Sequence, residues 1–223
     1  MSVRCSGRII ESKTSVTYLG LTLDQATSGE AIATKVLNKC ASRIKFLYRN
    51  TRFFNLNTKK LLVQALIQCH YDYACSSWYS GLSQKLKYKL QVMQNNTIRY
   101  LLHAHPRTHV GQQEFVKVGM LPTDLRVEQL KLNHMYQIVN KSAPDYLSTD
   151  INMVRDLHSH NTRASVMSCQ IPKVFNVMGR STFCFTGVML WNSLPLQLKM
   201  CQSRASFKNG VKSFLWEKLI GCK

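Results

Sequence analysis

Acidic residues are scarce in this chain of 223 residues: 11 Asp and Glu stand against 30 Lys and Arg, which leaves a net charge of +19. Such an excess favours a polyanionic partner, most often nucleic acid. An anionic membrane is the competing partner, but it is disfavoured because the basic residues are spread along the chain and not gathered in one tail. With 45% apolar residues, the composition also excludes disorder over the whole length.

Long apolar runs are absent as well. No signal-like run follows Arg4 and Arg8, and no later stretch has the length and apolar character of a membrane span. We therefore expect an intracellular protein, nuclear or cytoplasmic, with no membrane partner. In such a reducing compartment the cysteines are expected to be free thiols in the core or at the surface.

Motifs for phosphoryl transfer, zinc binding and phosphate binding are missing too. The sequence has no adjacent pair of aspartates to hold two Mg²⁺ ions, no Cys-x₂-Cys pair and no glycine-rich phosphate loop. We assign no catalytic residue, no metal ligand and no cofactor to this chain. His103, His105 and His109 are close in sequence, but a polar loop is preferred over a zinc site because Pro106 interrupts helical presentation.

Helical periodicity dominates what is present. We predict a mainly α fold with a short N-terminal β-hairpin over residues 16–23, a helical bundle, and a small α+β C-terminal region in which residues 181–185 form a strand. The expected segments are an N-terminal strand segment (1–27), the helical bundle (28–105), a helical connector (106–156) and the C-terminal tail (157–223).

Three helices of the bundle have recognisable apolar stripes. The helix over residues 30–49 should bury Ile32, Val36, Cys40, Ile44 and Leu47, which leaves its basic residues on the opposite side. A second helix, capped by Thr58, should bury Leu61, Leu62, Ala65, Leu66 and Cys69. A third, capped by Ser83, should bury Leu86, Leu90, Met93, Thr97 and Leu101, with Lys85, Lys89, Asn96 and Arg99 outside.

Aromatic residues are interleaved with this charge. Tyr48, Phe53, Phe54, Tyr71 and Tyr73 are candidates for stacking on bases or sugars. The alternative is that these rings close the helical core, and for the two phenylalanines both interpretations stay open.

Three sequence blocks follow one another along the chain. The first is residues 18–24 (YLGLTLD), and the second is residues 90–99 (LQVMQNNTIR). The third combines Thr162-Arg163 with residues 179–183 (GRSTF), 190–195 (LWNSLP) and 206–208 (SFK). In this order the blocks resemble the C-terminal part of LINE-type (non-LTR) retrotransposon reverse transcriptases of the jockey and Rex type.

The resemblance implies a primer grip at Tyr18, Leu19 and Gly20 and a thumb-like bundle over residues 28–105. It also implies a partner, RNA or an RNA–DNA template–primer duplex, that is bound through its backbone. Together with the basic helix faces, it points to contacts from Lys35, Lys39, Lys45, Arg49, Arg52, Lys85, Lys89 and Arg99.

The same resemblance implies what this chain would not do alone. Because the palm aspartates are absent, we expect a non-catalytic part of an RNA-directed DNA polymerase, in which Mg²⁺ belongs to the intact enzyme with its palm and fingers. Two alternatives remain open: a helical protein-interaction module, and the product of a truncated element copy without selected function.

Overall fold

A computed structural model describes residues 3–5, 8–10, 13–51, 53–157 and 167–221. The described chain is mainly helical, as the sequence predicts, and its paired strands lie at the N-terminus. Strands β1 (Val3–Cys5) and β2 (Arg8–Ile10) form one antiparallel ribbon, and strands β3 (Ser15–Tyr18) and β4 (Leu21–Asp24) form another. The second ribbon confirms the predicted hairpin.

The helices follow from Glu30 onward. A π-helical segment (Gln64–Gln68) joins α2 to α3, and a 3₁₀ turn (Tyr79–Gly81) follows α4. The helix bounds are α1 Glu30–Asn50, α2 Leu56–Val63, α3 Cys69–Asp72, α4 Cys75–Trp78, α5 Gln84–Leu101, α6 Gln112–Val118, α7 Thr123–Val139, α8 Asp145–Ser148, α9 Val154–Leu157, α10 Val177–Ser181, α11 Phe183–Ser193, α12 Leu196–Lys199 and α13 Arg204–Gly221.

The first hydrophobic core lies beneath α1 and α5. The predicted stripe of α1 is buried in full, and in α5 the predicted stripe is buried except for Met93, which is half-buried against the same core. The π-helical segment and α3 complete this core with Ile67 and Tyr71. Burying one face of each helix forces the opposite, basic face into solvent.

The second core is built by α7, α11 and α13. Trp191 is fully buried with Phe207, its ring centroid 5.9 Å from that of Phe207, and its indole Nε1 donates to the Met167 carbonyl at 2.8 Å. The ring of Tyr136 stacks on Phe207 at 4.3 Å. Helix α7 joins the two cores, since Val127 belongs to the first and Met135 to the second.

The strand predicted over residues 181–185 is wrong. Those residues end α10 and begin α11, and Thr182 between them is the N-cap, its side chain accepting a hydrogen bond from the Phe185 amide at 3.4 Å. The alternation of Phe183 and Phe185 that suggested a strand is short, and the capping threonine is the stronger local signal.

The predicted buried face of the second helix is wrong in part: Leu62 and Leu66 are half-buried against the first core, but the centre of the buried stripe lies elsewhere. The N-cap of this helix is Asn55, whose side chain accepts from the Thr58 amide, and Leu61 and Cys69 are exposed. The buried stripe instead begins at a lysine: it contains Lys59, Val63, Ile67 and Tyr71. Lys59 is 1% exposed, because its ammonium meets His103 Nε2 at 2.7 Å and lies 4.9 Å from the Tyr100 ring.

Candidate nucleic-acid interface

Helices α1 and α5 lie side by side and run in the same direction. At their beginnings, the backbone of Gly29 lies against Trp78 and Leu82. At their ends, the Thr51 hydroxyl hydrogen-bonds the Tyr100 hydroxyl, and the rings of Tyr48 and Tyr100 meet edge to face at 5.1 Å. Because both helices bury their apolar stripes in one core, their exposed faces lie on neighbouring helices and together make up the candidate surface.

This surface carries an exposed set of cations, which we name the basic face: Lys35, Lys39, Arg43, Lys45, Arg49, Lys85 and Lys89. Within the described residues, none of them is in a salt bridge. The sequence contains no Asp or Glu between Glu30 and Asp72, and none between Asp72 and Glu114. The positive potential of these helices is therefore not neutralised by local carboxylates.

The dimensions of the basic face suit a polyanion. From Lys35 to Arg49 the α1 axis advances about 21 Å at 1.5 Å per residue. One strand of a duplex places a phosphate every ~3.4 Å along the helix axis, so the face spans roughly six base pairs. Two parallel helices about 8–10 Å apart widen the face enough to contact a curved backbone on both sides.

One flank of the basic face borders α3 and the hairpin. Burial, and after it the charges of Lys39 and Arg43, hold the pKa of the His70 imidazole below its ordinary value, which places these two cations close to α3. The side chain of Tyr73, the residue after α3, donates to the Leu19 carbonyl at the tip of the β3–β4 hairpin.

The proposed primer-grip residues form that tip. Leu19 and Gly20 occupy the two-residue turn with φ of +47° and +80°, and positive φ at both positions is the condition for a type I′ turn. Tyr18 and Leu19 are exposed. The structure thus brings Tyr18, Leu19 and Gly20 to the same side of the molecule as the α3 flank of the basic face.

Two predicted contact residues stand apart from the others. Arg99 is half-buried: its Nε donates to the Thr108 carbonyl at 2.8 Å and its Nη1 to Asn96 Oδ1 at 2.7 Å, so part of its guanidinium fixes the loop after α5. Arg52 lies outside the described residues, as do Thr162 and Arg163 of the third sequence block.

The aromatic candidates divide by burial. Tyr71 is buried and donates to the Leu90 carbonyl at 3.2 Å, which excludes it from stacking on a ligand. Tyr48 packs its edge against Tyr100, whereas Phe53, Phe54 and Tyr73 are exposed. Trp78 and Trp191 are buried as well.

Three exposed residues of this surface were not among the contact residues predicted from the sequence. Arg43 extends the basic face toward α3, Phe46 lies between Arg43 and Arg49 on α1, and Tyr88 lies between Lys85 and Lys89 on α5. The signal was present in the helical spacing, because all three fall outside the buried stripes.

The cysteines in the described part of the chain include buried thiols. Burial raises the pKa of the Cys40 and Cys75 thiols to about 12, so both are held in the unreactive protonated form. Among the described side chains, no group of three or more His, Cys, Asp or Glu is placed to hold a metal ion. No helix in the described ranges combines the length and apolar character needed to cross a bilayer.

Comparison with known proteins does not extend these observations. No family model, no curated protein and no solved structure matches this chain.

Proposed function

We propose that this chain binds nucleic acid through the basic face, without reading its sequence, as the thumb-like part of an RNA-directed DNA polymerase. Its partner is RNA or an RNA–DNA template–primer duplex, and the chain by itself is not catalytic. The single observation that carries the proposal is the joint exposure of unpaired cations on two parallel helices that share one core. Such a surface gives affinity by neutralising phosphates and releasing counterions.

The resemblance supports the polymerase part of the proposal. Residues 18–20 form the exposed tip of a hairpin beside the α3 flank, residues 21–24 form its second strand β4, and residues 90–99 lie within α5. In a polymerase, the hairpin would hold the primer end, and the neighbouring basic face would bind the adjoining duplex. Mg²⁺ would be held by the palm of the intact enzyme.

The test removes three charges at a time. Gln replaces Lys45, Arg49 and Lys89 on the basic face, with little change in helix propensity. The matched control replaces Arg204, Lys208 and Lys212, three exposed cations of α13. Lys199 is unsuitable for this control because it is buried and donates to the Asn192 carbonyl at 3.0 Å.

Fluorescence anisotropy with an RNA–DNA duplex measures affinity across a range of salt concentrations. The basic-face variant should bind about 100-fold more weakly at low salt, since three lost phosphate contacts at roughly 1 kcal/mol each sum to about 3 kcal/mol. The slope of log affinity against log salt should flatten by about one unit per lost contact. If the α13 variant loses affinity and the basic-face variant keeps it, the proposal is wrong.

The alternative of a protein-interaction module is favoured by one observation. Phe175, just before α10, is almost fully exposed and lines a cavity of about 590 Å³ together with Lys173 and Arg180. Val177, the first residue of α10, is also strongly exposed. If the anisotropy experiment shows no binding of the RNA–DNA duplex, or binding that does not depend on salt, the protein-interaction module becomes the better explanation.

A further inference from the structure

Two aromatic rings beside the cations of the basic face are exposed. Tyr88 is 71% exposed and Phe46 is 52% exposed, although both belong to well-formed helices with complete buried stripes. Within the described residues, the Tyr88 hydroxyl makes no hydrogen bond and neither ring pairs with another aromatic ring. The exposed part of each ring makes no contact with the core and is therefore available to a ligand of the basic face.

Both rings sit one turn away from cations on the same helix. Phe46 follows Arg43 by three residues and precedes Arg49 by three, and Tyr88 follows Lys85 by three. Residues three apart are neighbours on a helix surface, separated by about 4.5 Å along the axis. A phosphate held by one of these cations therefore leaves the attached nucleotide within reach of the ring.

Resting on the proposed function, we propose that Tyr88 and Phe46 form stacking sites for unpaired nucleobases. The basic face then prefers single-stranded segments, or junctions between a duplex and a single strand, over continuous duplex. The physical reason is that an unpaired base exposes both of its π-faces, whereas bases inside a duplex already stack on each other. Aromatic rings between phosphate-binding cations are the combination that holds single strands without reading sequence.

The two rings are far enough apart to act separately. They lie on different helices, and measured from the aligned helix ends they differ by roughly 10–16 Å along the common axis. Effects of replacing sites at this separation normally add. Because the effects are expected to add in free energy, the double variant should show the product of the two single fold-changes.

The experiment compares Tyr88→Leu and Tyr88→Phe in the full chain, with Tyr146→Leu as a matched control. Tyr146 is also 71% exposed, but it lies on α8 away from the basic face. The first probe is a single-stranded RNA that contains 2-aminopurine. The second is a duplex long enough that its ends contribute few of the protein-binding sites. Affinity for each probe and the quenching of 2-aminopurine, which reports stacking, are measured at one salt concentration.

Tyr88→Leu should weaken single-strand affinity by about 5- to 10-fold, at the low end of the range for a stacked base, and relieve the quenching. Its duplex affinity should stay within about 2-fold, and its melting temperature should not change, because the ring is not part of the core. Tyr88→Phe should keep both affinity and quenching, since the ring is retained. Phe46→Leu should act in the same direction, and Tyr146→Leu should change nothing.

The outcomes separate this inference from the proposed function. One outcome is that duplex binding depends on salt and on the basic face, but Tyr88→Leu does not change single-strand affinity. This outcome overturns the stacking sites and leaves the proposed function standing. Equal losses on duplex and single strand would make Tyr88 a backbone contact and would also overturn them. If the triple Gln variant of the basic face binds duplex as well as the unaltered chain, the proposed function itself fails.

Discussion

The half of the molecule built on α1 and α5 treats positive charge differently from the half built on α7, α11 and α13. In the first half the basic face is exposed and, within the described residues, free of salt bridges. In the second half several cations serve the fold: Lys131 and Lys199 are buried, and Lys218 pairs with Glu128 at 2.7 Å. At the border, Arg126 pairs with Asp72 at 2.7 Å.

This contrast shows that a large net charge is not by itself a binding surface. A cation that hydrogen-bonds inside the protein, or that pairs with a carboxylate, has few free donors and little net charge available to bind a phosphate. The cations that remain available concentrate where carboxylates are missing from the sequence, between Glu30 and Asp72 and again between Asp72 and Glu114. Mutations in each half test this contrast, by showing whether stability and nucleic-acid affinity respond separately.

The largest effect is expected from Trp191→Ala in the second core. Removing this fully buried ring should lower the free energy of unfolding by about 3–5 kcal/mol, because it leaves a cavity against Phe207 and an unpaired Met167 carbonyl. Urea unfolding measures this, and Met189→Ala on the exposed side of the same helix should cost far less. Nucleic-acid affinity, measured where the variant is still folded, should be unchanged; a loss would mean that the two halves are not separable.

A smaller effect, dependent on pH, is expected at Lys131. Burial lowers the pKa of its ammonium from its ordinary 10.5 to about 8, and its partners are the hydroxyls of Ser80 and Thr186, the latter at 2.7 Å. Between these two pH values the unfolded chain binds more protons at this group. The free energy of unfolding should therefore rise with pH across that window, by up to about 3 kcal/mol, and stay at its lower level below pH 8.

Lys131→Met isolates this contribution. Burial also lowers the pKa values of Lys59 and Lys199, so the informative quantity is the difference in unfolding free energy between the unaltered chain and the variant. That difference should shift in favour of the unaltered chain as pH rises toward 10.5. A difference that does not change with pH would show that the Lys131 ammonium is not desolvated.

Much of the fold follows from helical spacing, and the parts that do not have a physical reason. The stripes of α1, α5 and α13 are regular, so their buried faces and the exposure of Lys35, Lys45 and Lys89 could be predicted from sequence. The orientation of α2 could not, because burial of Lys59 depends on His103 and Tyr100, which are distant in sequence.

The site is less predictable than the fold for a similar reason. Arg99 looks like a phosphate contact from its place on the outer face of α5, but one of its donors is taken up by the Thr108 carbonyl in the following loop and another by Asn96 on α5 itself. Tyr88 and Phe46, in turn, are ordinary residues in the sequence and become notable only through their exposure. The role of the basic face and the resemblance to a reverse transcriptase stay predictions.

The most direct test of the central claim is lysine footprinting of the full chain with acetic anhydride, in the presence and absence of an RNA–DNA duplex, read by mass spectrometry. Lys35, Lys39, Lys45, Lys85 and Lys89 are exposed and should each be acetylated in the free protein and protected in the complex. Lys208 and Lys212 on α13 are also exposed and should be acetylated equally in both. Protection of the α13 lysines, with unchanged acetylation of the basic face, would contradict the account.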